Sequence, residues 1–106
     1  MASKAKQIVI SPLAANDLDE LYLYLLSEFG QSALEKFHLK WVDFLSVVAF
    51  HPRIFPLLHK RKNLRKHAIH PKTLIIYKSS KSTVEIVTLF NNLQNPEKIK
   101  KLIKAV

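Results

Sequence analysis

In this 106-residue chain the apolar positions keep a three- and four-residue spacing through the first fifty residues. After His51-Pro52 that spacing gives way to short runs rich in β-branched and aromatic residues. The change of period predicts helices first and a sheet after them. The length and a 48% hydrophobic content suit a single domain over residues 1–106.

Gln7-Ile8-Val9-Ile10 reads as an opening strand, cut off by Ser11-Pro12. Ser11 has the chemistry of an N-cap. Pro12 then takes the first helical position, where its missing N–H costs nothing. Asp17, Asp19 and Glu20 lie early in the element, where negative charge is favoured. Ala14, Leu18, Leu21, Tyr22, Leu25 and Phe29 give the first helix one apolar face. Gly30, the only glycine, stands where a helix is commonly closed. From about Ser32 a second stripe follows, formed by Leu34, Phe37, Trp41, Phe44, Leu45 and Val48. A turn as short as Gly30-Gln31 makes the two helices antiparallel neighbours. An aromatic stripe of this kind is read as core, because a helix on a sheet must bury such a face.

Residues 53–58 contain Pro56 and no clean period, and are read as a connecting loop. Residues 64–70, 72–78 and 83–90 form three strand-like runs, separated by Pro71 and by Ser79-Ser80-Lys81-Ser82, which suggests a three-stranded meander. The last run alternates Val84, Ile86, Thr88 and Phe90 with Glu85, Val87 and Leu89; with apolar residues on both sides it is placed inside the sheet. Asn95-Pro96-Glu97 opens a short terminal helix with Ile99, Leu102 and Ile103 on one edge and Lys98, Lys100, Lys101 and Lys104 elsewhere. The expected order is β-α-α-β-β-β-α, an α+β domain.

Charge follows the same division. Of the 17 Lys and Arg residues, 13 lie in residues 51–106 with 2 of the 8 acids, so the net charge of +9 resides entirely in the second half. Such a surface attracts a polyanion, an acidic protein or an anionic membrane surface. Lys60, Arg61, Lys62, Arg65, Lys66, Lys72 and Lys78 are the candidates for binding a nucleic acid or other target. No run of 18 apolar residues and no apolar leader is present, so neither a membrane partner nor secretion is expected, and the protein is read as cytoplasmic. Without cysteine there are no disulfides, thiolate nucleophiles or Cys-based zinc sites.

One glycine excludes a Gly-rich phosphate loop, and no His-Glu-x-x-His or strained serine elbow occurs. His67 and His70, three apart on a strand, point to opposite faces, so no metal and no small-molecule cofactor are expected. What remains is cation and phenol chemistry of the kind that cleaves RNA without metal. A ribose 2′-hydroxyl attacks the adjacent phosphate, cations neutralise the developing charge, and a general acid protonates the leaving oxygen. Arg65, His67, His70 and Tyr77 are of the right types for catalysis, with Lys66 beside them. Each also has an ordinary reading: solvated strand residues, polar positions on an outer face, and a strand aromatic.

Several segments together resemble a known family. They are Ser11-Pro12-Leu13-Ala14-Ala15-Asn16-Asp17-Leu18 after the opening strand, Tyr22-x-Tyr24-Leu25, Leu64-Arg65-Lys66, and Ile69-His70-Pro71 before Leu74-Ile75-Ile76-Tyr77-Lys78. The last is Val87-Thr88-Leu89-Phe90-x-x-x-Gln94-Asn95-Pro96-Glu97. From about Ile8 to Ile103 this ordered set is similar to the RelE/ParE superfamily of toxins from type II toxin–antitoxin and plasmid stabilisation systems.

The resemblance implies the RelE-like fold: an N-terminal strand and two-helix hairpin on a twisted, mainly antiparallel sheet, with a short C-terminal helix. It implies a concave basic surface that acts on the ribosome with mRNA, as an mRNA interferase, or on DNA gyrase. It also implies a cognate antitoxin with an acidic amphipathic segment. Arg65 matches the arginine that binds phosphate in the ribonuclease branch. Leu93 stands where many relatives place a basic residue, and losing one such group costs about 10²–10³ in rate. A metal-independent endoribonuclease is therefore weakened beside gyrase inhibition, and a non-toxic or degenerate basic nucleic-acid-binding domain of the same fold is the alternative.

Overall fold

A computed structural model describes residues 4–70, 72–91 and 96–105. The elements in chain order are β1 (Gln7–Ile10), α1 (Pro12–Phe29), α2 (Gln31–Phe50), β2 (Leu57–His59), β3 (Leu64–His70), β4 (Thr73–Ser79), β5 (Thr83–Asn91) and α3 (Pro96–Ala105). The five strands form one sheet in the order β1-β5-β4-β3-β2. β1 runs parallel to β5, and the other pairings are antiparallel.

Ser11 is the hinge between sheet and helices. Its backbone N–H donates to Ile86 O at 3.0 Å, its hydroxyl donates to Val87 O at 2.7 Å, and the same Oγ accepts from Ala14 N at 3.0 Å. One residue thus caps α1 and fixes where the helix leaves the sheet. A second tether follows nearly two turns on, where the Asp17 carboxylate accepts from Thr88 Oγ1 at 2.5 Å and from Leu89 N at 3.2 Å. Gly30 ends α1 and begins α2 alone, with φ at 89° and its N–H shared between Leu25 O and Leu26 O. That left-handed conformation favours glycine.

The hairpin covers one face of the sheet. Ala14, Phe37, Trp41, Phe44 and Val48 meet Ile69, Ile75, Tyr77, Val84, Ile86 and Leu89 there. Leu18, Leu21, Tyr22 and Leu25 join this core as expected, but Phe29, in the last turn beyond Leu25, is 62% exposed and meets the Tyr24 ring edge-on. On the opposite face Leu64, Ile76, Val87 and Phe90 form a smaller apolar cluster, flanked by Leu58, Leu74 and Ile103 of α3.

Two expectations need correction. Residues 53–58 are not all loop: Leu57–His59 pair with β3 through an irregular register, making a four-stranded meander. Asn63 turns that hairpin with φ at 55°, and its side-chain amide donates to Ser79 O at 2.7 Å. Nor does β5 alternate throughout. Between the pairs Ile76–Thr88 and Tyr77–Ile86 the residue Val87 bulges, so Leu89 joins Val84 and Ile86 on the hairpin side while Phe90 joins Val87 on the other. β5 is interior as expected, held between β1 and β4.

Ser11→Ala removes the cap and the bond to Val87 at once. It is expected to destabilise the protein by about 1–2 kcal/mol, read as a lower midpoint in urea with an unchanged slope.

Candidate functional site

Between α2 and β2 the chain crosses the sheet as a strap, residues 51–56. His51 N–H donates to Val47 O, and Ile54 N–H donates to His51 O at 3.1 Å, which closes the first bend. Lys66 N–H reaches Pro56 O at the far end. Prolines at 52 and 56 leave the strap with few backbone donors of its own, so side chains from the sheet complete it.

Those side chains are the ones sequence reasoning assigned to catalysis. Tyr77 is 0% exposed and its hydroxyl donates to Pro52 O at 2.8 Å. Its cross-strand neighbour Arg65 donates from Nη1 to Phe55 O at 2.8 Å and to Arg53 O at 3.3 Å. Arg65 Nε is buried without a partner among the described residues. His67 lies against the Phe55 ring at 3.9 Å between centroids, with Phe44 at 5.4 Å and nearly parallel. Burial pushes the His67 imidazole below its ordinary value, and it pushes the Tyr77 phenol up against the opposing pull of the Arg65 charge. Both groups are held neutral in the middle of the pH range.

His70, the fourth candidate, stands apart. It is exposed near the β3–β4 connection, where its Nδ1 accepts from Lys72 N at 3.3 Å. The arrangement therefore brings Arg65, His67 and Tyr77 together on the hairpin side, fastening the strap, and leaves His70 outside that cluster.

Most of the cations lie elsewhere. Lys66 and Lys78 stand opposite Ile76 and Leu64, which places them on the sheet face away from the hairpin, around the smaller apolar cluster. Lys62 donates to the Ile103 carbonyl near the end of α3. Lys60 and Arg61 are exposed at the β2–β3 turn, Lys72 at the next turn, and Lys100, Lys101 and Lys104 along α3. Lys78 pairs with Glu85 at 3.6 Å, an exposed contact of small energetic weight. Lys60, Arg61, Lys66 and Lys72 form no ion pair among the described residues. Leu93, with the rest of 92–95, and Pro71 lie outside the described residues. Among the described residues no three His, Asp or Glu side chains are grouped to hold a metal ion, and no helix is long and apolar enough to cross a membrane.

The family profile described as the ParE toxin of the type II toxin–antitoxin system parDE matches residues 8–96. The chain belongs to this toxin family. Among solved structures, the toxin resembles a chain of the chromosomal ParDE system from P. aeruginosa, with a TM-score of 0.67 and 12% identity over 82% of this chain and 96% of that one. It also resembles a copper-bound mutant toxin from Helicobacter pylori, with a TM-score of 0.59 and 17% identity over 81% and 93%. The E. coli DinJ-YafQ toxin–antitoxin complex gives 0.58 and 13% over 82% and 92%. At these identities the likeness is one of fold. No curated protein matches the sequence.

Sequence reasoning expected a connecting loop here and missed how it is fastened to the sheet by Arg65 and Tyr77. Phe55 between two prolines was the available signal, since an aromatic in so short a loop needs a surface to lie on.

A histidine whose folded pKa is depressed stabilises the fold fully above its unfolded value near 6.5, and that contribution is lost as pH falls through the lower folded value. Urea unfolding is thus expected to show stability falling as pH drops below about 6.5. His67→Phe, which keeps the ring stack, should flatten that part of the profile.

Proposed function

We propose that this toxin arrests growth by binding DNA gyrase through the cationic sheet face, and that it does not cut RNA. The observation carrying this reading is the disposition of Arg65, His67 and Tyr77. Metal-free cleavage needs a proton donor within about 3 Å of the leaving oxygen and a cation at the developing charge. A phenol that is fully buried and donating to Pro52, and an imidazole covered by Phe55, are badly placed to exchange protons with a nucleic acid on the other face. Arg65 acts here as a fastener of the strap, with its Nη1 already on two carbonyls. The exposed cations Lys60, Arg61 and Lys66 supply attraction and orientation for a macromolecular target, which inhibition by binding requires and catalysis alone does not.

The cognate antitoxin neutralises the toxin with an acidic amphipathic segment. A chain of net charge +9 supports that partner, and antitoxins accompany the related folds in the ParDE system and the DinJ-YafQ complex. A second reading, ribosome-dependent mRNA cleavage, rests on the exposed pair His70 and Lys72, where an accessible imidazole adjoins a cation that forms no ion pair among the described residues.

Pulse-labelling within minutes of induction in bacterial cells separates these readings, with wild type, Lys66→Glu and His70→Gln compared. DNA synthesis is expected to fall first, Lys66→Glu to relieve it, and His70→Gln to leave it unchanged. A prompt fall in protein synthesis that His70→Gln relieves would establish the ribonuclease reading instead. Normal growth with soluble protein accumulating would identify a non-toxic nucleic-acid-binding domain.

A further inference from the structure

The strap has an outer side. There His51, Pro52, Arg53 and Ile54 line a shallow cavity of about 410 Å³. Ile54 is 56% exposed, and the side chain of Phe50, at the end of α2, is exposed beside His51 in sequence. Apolar side chains left open to water next to a formed cavity mark a place where something apolar docks.

We propose that this cavity receives an apolar side chain of the antitoxin's acidic segment, with Arg53 and His51 facing the carboxylates that flank it. The proposal rests on the antitoxin partner described above and names where that partner anchors. Three features favour it. The cavity is preformed, because Tyr77 holds Pro52 O, Arg65 holds Arg53 O and Phe55 O, and Ile54 N–H closes on His51 O, so little ordering is needed on binding. Its charge is of one sign: the strap carries Arg53 and no acid, and the nearest acids along the chain are Asp43 and Glu85. Its walls, Pro52 and Ile54, are aliphatic. A nucleic acid would call for several clustered cations, whereas the strap carries Arg53 as its one Lys or Arg.

The anchor is separate from the cationic sheet face. An antitoxin bound at both would cover the target-binding surface while gaining its register from the strap.

The test is an amide chemical-shift titration of the ¹⁵N-labelled full chain with three blocked peptides. One is a hexapeptide of alternating Glu and Leu; in the others Lys replaces Glu, or Ser replaces Leu. The Glu-Leu peptide should shift amides of residues 50–55 in a saturable way, and the other two should not. Ile54→Asp and Arg53→Glu, both at exposed side chains, should each weaken that binding roughly tenfold or more while circular dichroism stays unchanged. Shifts centred on residues 60–66 or on α3, binding that survives Ile54→Asp, or equal binding of the Lys-Leu peptide would overturn the proposal. Toxicity does not enter the titration, so a chain that binds the peptide at the strap without arresting growth defeats the proposed function alone. A chain that arrests growth while its strap binds nothing defeats only this anchor.

Discussion

The strap over the hairpin-facing side of the sheet depends on one hydrogen bond and one guanidinium. Tyr77 sits at the centre of the core, and a buried phenolic hydroxyl must find an acceptor or leave a polar group unsatisfied, at a cost of about 1–3 kcal/mol. Pro52 O is that acceptor. Arg65, directly across the strands, donates to the Arg53 and Phe55 carbonyls of the strap, and the Phe55 ring then closes over His67. The path between α2 and β2 and the outer cavity follow from this fastening. The interaction is cooperative in a simple geometric sense: removing any one member loosens a segment that the others reach only while it is in place.

The same fastening divides the molecule by task. His67 and Tyr77 face the hairpin side and are held neutral, whereas His70 is exposed and the cations Lys60, Arg61, Lys66 and Lys72 face outward on turns and on the opposite side of the sheet. A protein that binds a large anionic or mixed-charge target needs accessible charge on a rigid support, and a four-stranded meander backed by two helices provides that support. The short helix α3 adds cations to the same side and is linked to the sheet by Lys62 and Ile103.

Much of this architecture was legible in the sequence. Ser11-Pro12 and Gly30 marked the limits of α1 because caps and prolines act locally, and the stripe from Phe37 to Val48 specified which face of α2 would be buried. The β2 strand was not legible: three residues after Pro56 become a strand only through pairing with β3, a contact the local pattern does not contain. The Val87 bulge was hidden for the same reason, since the extra residue is defined by its partner strand and by the carbonyl that Ser11 takes up. For the site, the residue types were recognised and their grouping only in part. Reading His67 as a polar position on an outer face did not foresee its stack against Phe55 and Phe44. Which face would carry the strap depended on the path of residues 51–56, which have no period to read.

Native-state hydrogen exchange in the wild type and Tyr77→Phe tests the fastening most directly, with the Ile54 amide as reporter and the Ile75 and Ile86 amides as internal references. Loss of the bond to Pro52 should speed exchange at Ile54 by roughly fivefold, the equivalent of about 1 kcal/mol, while the two references stay protected. Unchanged exchange at Ile54 would contradict the account, because the strap would then be held in place without the residue on which it is argued to depend.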